Sequence, residues 1–280
     1  MRPTPQPDPS MRQLVVLARE CRTLAAELAR AIGPPRIQKP TTKHLVELVL
    51  LALTPKVCDT FDALALLCAA GWGVEAGVLL RVELEVSANA ALVASNPMPF
   101  LFLYMEDTKK RIKDWLRATD HHRKQTGGLP SDMRAREEVS RRELQSITPW
   151  LRRVIGEPPR SDSHAWWQKG CRKGERRYWH EIPIEERMRL LGWSGWYDTI
   201  YRLMSAAVHA GGGTQNVYLE TQPEPATLYG PKWGWAEAIL PYACHVLLMH
   251  FVTVDTAFGL GRRPRLDAQL ARVLMVQHGR

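Results

Sequence analysis

The sequence predicts an all-α fold, an irregular multi-helix bundle with a basic, partly irregular middle segment. Three observations predict it. Apolar residues recur at three- and four-residue spacings over most of the chain. Helix-start residues (Ser, Thr, Asp) precede those stretches, and Gly or Pro follows them. No alternation of strands and helices, internal repeat, glycine-rich phosphate loop or G-x-S-x-G elbow is present. The chain has 280 residues, 45% hydrophobic and 24% charged, which is ordinary for a globular protein able to bury a core.

Taken in order, residues 1–10 are proline-rich and read as a disordered leader. Residues 11–280 read as a single helical domain. Ser10 can cap a helix from Met11 to Ile32, ended by Gly33, Pro34 and Pro35. A second helix opens at Thr41 or Thr42 and is expected to break or kink at Pro55. A third runs from Lys56 to Ala70, with Gly71 and Gly73 after it. Val74 to Ala94 is strongly periodic and stops at Asn96 and Pro97. Phe100 to His122 is apolar first and basic later. A loop follows at Gly127–Pro130, and Ser131 or Asp132 then caps a charged helix to Ile155. Residues 156–182 read as a surface excursion. A short helix from Pro183 to Leu191 leads into one from Gly195 to Ala210. Residues 214–234 hold turn residues and a short hairpin near Asn216–Leu219. Helices from Trp235 to Phe258 and from Leu266 to Val276 end the chain.

The five cysteines (Cys21, Cys58, Cys68, Cys171, Cys244) are scattered, with no C-x-x-C pair. Such spacing suits reduced thiols and a cytoplasmic location. No secretory signal is evident. The uncharged run from Ala238 to Val254 is short for a membrane span and contains Pro241, His245 and His250. It reads as a buried helix, so no membrane partner is expected. His180 and Glu181 lack a histidine at the spacing a zincin needs. No metal and no cofactor is expected.

The net charge of +9 is unevenly placed. Residues 109–177 hold 19 Lys/Arg against 9 Asp/Glu, so the rest of the chain sums to −1. Trp115, Trp150, Trp166, Trp167 and Trp179 lie in or beside this segment. Interleaved cations and aromatics can hold phosphates and stack bases, which makes nucleic acid the expected partner of the 109–177 segment. The alternative is a solvated helix face whose cationic stems cover the tryptophans.

Two polar stripes stand out. On the helix around Arg81, Glu85 and Asn89 follow at four-residue steps, while Leu79, Leu80, Leu84 and Ala91 fill much of the remaining circumference. A helix that apolar is normally buried, so its charges need partners, and Arg81 or Glu85 is expected to reach a group on another helix. At about 100° per residue, Asp198, Tyr201, Arg202, Ser205 and His209 share one sector of the Gly195–Ala210 helix, flanked by Tyr197. Trp196, Ile200, Leu203, Met204 and Ala207 occupy the opposite side. This polar face is either that of an ordinary surface helix or the wall of a cleft facing the Arg81/Glu85 stripe.

Arg81-x-x-x-Glu85, followed over a hundred residues later by Tyr201-x-x-x-Ser205-x-x-x-His209, resembles a widespread bacterial family of uncharacterised all-helical proteins. The resemblance covers roughly Phe61 to Leu260 and implies a helical fold without an assigned activity. Arg202-x6-His209 also bears a distant likeness to HEPN proteins, helical bundles that often cleave RNA without metal. That likeness implies His209 for proton transfer at the ribose hydroxyl and Arg202 for charge on the scissile phosphate. It also implies a symmetric homodimer. Leu203 departs from the pattern, which has a polar residue there.

The reading is a non-catalytic binding or interaction module with a basic surface able to bind nucleic acid. Two alternatives stay open. One is a HEPN-like metal-independent ribonuclease, of toxin or phage-defence type, using Arg202 and His209. The other is a small-ligand enzyme or sensor with a pocket among Arg81, Glu85, Asn89, Tyr197, Asp198, Tyr201, Ser205 and His209.

Overall fold

The structure is a computed structural model that describes residues 9–32, 41–95, 97–155, 182–208, 219–220, 226–227 and 233–279. The described chain is helical, apart from a two-residue antiparallel pairing of β1 (Leu219–Glu220) with β2 (Ala226–Thr227). Read from sequence, residues 11–280 are one helical domain. By packing, the chain gathers into two compact units, residues 1–36, 47–94 and 184–280 in the first and residues 37–46 and 95–183 in the second.

The first unit is built on α1 (Pro9–Ala31), α2 (Thr42–Ala69) from Glu47 onward, α3 (Gly73–Ser95) as far as Ala94, α6 (Ile184–Leu190) and α7 (Ser194–Trp196). A π-helical turn (Tyr197–Tyr201), α8 (Arg202–Val208), α9 (Trp233–Phe258) and α10 (Arg263–His278) complete it. On α1, Met11, Leu14, Ala18, Cys21, Ala25 and Leu28 repeat at three and four residues, and all are buried. That spacing puts them on one face of the helix. They join Val57, Phe61 and Leu64 of α2, Leu80 and Leu84 of α3, and Ile239, Leu240, Leu247 and Phe251 of α9 in one core.

The expected break at Pro55 does not occur, because α2 runs unbroken from Thr42 to Ala69. Proline leaves one carbonyl without its helical partner, but tertiary packing supports the helix on both sides of it. Val49 and Leu50 precede the proline and Val57 follows it, all buried. Beside it, the Thr54 hydroxyl lies 3.0 Å from His250 Nε2 of α9. The helix ends where Gly71 takes φ 81° and Trp72 N–H donates to the Leu67 carbonyl, a left-handed stop suited to glycine.

Two glycines set how closely α3 approaches its neighbours. A Cβ on Gly73 would lie 2.1 Å from the Ala236 nitrogen of α9, and one on Gly77 would lie 2.0 Å from Met204 Sδ of α8. Helix α9 is long and apolar enough to cross a membrane by length and composition. However, 61% of its most apolar stretch is buried in the fold.

The second unit contains α4 (Pro97–Thr126) and α5 (Ser131–Ile155), which pack against each other across the turn at Gly127. Arg123 bonds both Asp120 and Glu137, and Arg141 reaches the same two carboxylates, cross-linking the two helices. These guanidiniums hold the Glu137 carboxyl below its ordinary range. The expected excursion at 156–182 lies outside the described residues except for Ile182.

Candidate functional site

The two polar stripes meet at Arg81. Its Nη2 donates to the Tyr201 hydroxyl at 3.1 Å, and its guanidinium carbon lies 4.8 Å from the centre of the Tyr201 ring. The cation therefore rests against the aromatic face while bonding the phenol oxygen. Tyr197 stacks on Tyr201 with ring centres 5.4 Å apart and planes 20° apart. Burial, and then the Glu185 carboxylate to which its hydroxyl bonds, raise the Tyr197 phenol pKa above its ordinary value.

One turn further along α3, Glu85 and Asn89 meet Arg187 of α6. Arg187 Nη1 donates to Asn89 Oδ1 at 3.0 Å and lies 3.6 Å from Glu85 Oε1. Arg187 is only 6% exposed, so these neutralising contacts are what make its burial tolerable. Arg81 and Glu85 thus each reach another element rather than each other. Arg81 has no carboxylate within ion-pair distance among the described residues.

The π-helical turn explains what regular counting along this helix missed. A wide turn carries one more residue than an α-turn, so a uniform angle per residue fails across it. Ile200, Tyr201 and Met204 form the buried side. Leu203, placed on the apolar face by sequence, is 50% exposed. Asp198 and Arg202 are exposed and face each other at 3.8 Å, on a side of the helix distinct from buried Tyr201. Ser205 is half-buried. His209 lies outside the described residues.

The structure therefore brings together Arg81, Glu85, Asn89, Tyr197 and Tyr201, and it leaves Asp198 and Arg202 on the surface. It adds Arg187 and Glu185, which sequence reasoning passed over. A signal for Arg187 was available: it shares a helix face with Ile184 and Leu191, three and four residues away. A charge in an apolar stripe asks for a partner. Across α4 and α5, the Arg136 guanidinium carbon lies over the Trp115 ring, 5.5 Å from its centre, so a cation is placed on the face of that tryptophan. Many neighbouring cations are tied into local ion pairs, among them Lys110–Asp114, Arg111–Asp107 and Arg142–Glu138.

The model of a family of unknown function, DUF5677, matches residues 47–225. That span contains Arg81, Glu85, Asn89, Glu185, Arg187, Tyr197 and Tyr201. No curated protein and no solved structure matches.

Proposed function

The chain belongs to this family of unknown function, and we propose that it is a non-catalytic binding module that captures an anionic group on Arg81. The observation that carries the reading is the incomplete use of that side chain. A guanidinium offers five N–H donors, and among the described residues one of them is bonded, to Tyr201. The contact with the ring and the bond to its hydroxyl hold the cation in place, so a carboxylate or phosphate gains a partner able to bind it bidentately with little side-chain ordering left to lose. Because the Tyr201 oxygen accepts from Arg81, its own hydrogen is free to donate to the same anion. Glu85 does not compete for this role, since Arg187 faces it.

The test is thermal stabilisation by inorganic phosphate and by short dicarboxylates at constant ionic strength, comparing wild type with Arg81→Gln. Ligand should raise the Tm of the wild type and leave the variant unmoved. Equal shifts in both proteins would remove the assignment.

A second reading places a polyanion such as nucleic acid on the basic 109–177 segment. It is favoured by Lys113, Lys124 and Arg134, which are exposed and whose side chains have no partner among the described residues. Affinity for a duplex or single strand should then fall steeply with salt. Absence of binding at low salt would discard this reading. The ribonuclease alternative draws no support from Arg202, which is 67% exposed and faces Asp198.

A further inference from the structure

We propose that the anion held at Arg81 belongs to a zwitterion, a small molecule with a carboxylate or phosphate monoester at one end and a primary ammonium at the other, and that Glu85 receives the ammonium. The inference rests on the anion site proposed at Arg81 and names the class of ligand it takes. Arg81 and Glu85 are four residues apart on α3, which puts them on adjacent turns of one helix face with Cβ atoms about 5–6 Å apart. At that spacing the two side chains can pair directly, yet they do not. Arg81 bonds Tyr201 and lies against its ring, and Glu85 faces Arg187. A positive and a negative group therefore stand side by side without neutralising each other.

Glu85 keeps acceptor capacity. Its side-chain contact among the described residues is Arg187 Nη1 at 3.6 Å, longer than the roughly 2.7–2.9 Å of a charge-assisted hydrogen bond. Arg187 Nη1 instead donates to Asn89 Oδ1 at 3.0 Å. An ionised carboxylate has about four acceptor positions, so it can take an ammonium while Arg187 stays in place. Access separates the two partners. The Glu85 side chain is 38% exposed and that of Arg187 only 7%, so a ligand meets the carboxylate and not the guanidinium.

The arrangement selects by charge. An anionic group on Arg81 is held one helical turn from the Glu85 carboxylate. A second negative charge on the ligand is repelled there, whereas an ammonium gains a charge-assisted hydrogen bond. Amine-bearing anions are thus favoured over simple anions and over polyanions.

The test is calorimetric titration of the full chain at constant ionic strength with two matched pairs, O-phosphoethanolamine beside ethyl phosphate and β-alanine beside propionate. In the wild type the amine should tighten binding by about tenfold or more in at least one pair, and the pair that responds identifies the anion as phosphate or carboxylate. In Glu85→Gln that gain should vanish, and the amine-free anion should bind more tightly than it does to the wild type. Should this variant fail to fold, the wild-type pairs decide by themselves. Equal affinities within both pairs, or a gain that survives in Glu85→Gln, would overturn the proposal. If the amine-free anions still bind in a manner abolished by Arg81→Gln, the anion site stands and the zwitterion alone falls. If no ligand binds in an Arg81-dependent way, both fall.

Discussion

Arg81 and Glu83 lie two residues apart on α3, and the helix sends them to opposite environments. Arg81 is half-buried and borders the Tyr201 ring. Glu83 is fully buried, and neither of its carboxylate oxygens has a hydrogen-bond partner among the described residues. Burial alone raises its pKa well above the ordinary carboxylate value, so the folded protein keeps this proton to higher pH than the unfolded chain, which ionises above about 4.5. The unfolded state then binds fewer protons, and stability must fall as pH rises from there toward the folded pKa. Glu83→Gln removes the titration. The variant should gain on wild type by up to about 1.4 kcal/mol per pH unit above pH 4.5, read by urea unfolding between pH 4.5 and 8. A gap that stays constant with pH would show that Glu83 is ionised in the fold. The sequence announced Arg81 and Glu85 as charges needing partners, but it hid Glu83. Its position between Arg81 and Glu85 looks like ordinary surface patterning until the helix is seen to be buried on both sides.

At the scale of elements, the helices were legible because periodicity and capping agree along most of the chain. What escaped were places where tertiary contacts override local preference. Pro55 is carried inside α2 because the helix is packed on both sides of it. The π-helical turn at Tyr197–Tyr201 escaped for a related reason. An extra residue in a turn is chosen by side-chain contacts, here Arg81 with Tyr201 and Tyr201 with Tyr197, and no composition signal marks it. Such turns concentrate at functional sites. Close approach of α3 to α9 is a further element-level property that depends on one position. At Gly73 the nearest atoms are backbone of Trp235 and Ala236, which cannot rotate away as a side-chain tip can. Gly73→Ala should therefore destabilise the protein by about 2 kcal/mol or more, despite the better helix propensity of alanine. Chemical denaturation would measure it, and a neutral or stabilising result would mean that the helices separate at no cost.

For the whole molecule, the sequence conveyed the fold class and the order of its parts, while the division into two units was not visible in it. One boundary, at 46/47, falls inside the continuous helix α2, where no change of composition or run of glycine and proline marks it, while the one at 94/95 coincides with the stop at Asn96 and Pro97 that the sequence shows. Charge patterning did locate the basic middle of the chain. Many of its described cations are satisfied by carboxylates one helical turn away, which leaves less free charge than a count of residues suggests. The family match spans both polar stripes, and their meeting at Arg81 is the basis of the proposed binding role. The most direct measurement is calorimetric titration of the full chain with inorganic phosphate, beside Arg81→Gln and Tyr201→Phe. Saturable binding is expected in the wild type, with loss in Arg81→Gln and weakening of roughly tenfold in Tyr201→Phe, the value of about one hydrogen bond to a charged group. Binding that persists unchanged in both variants would contradict an anion site at Arg81.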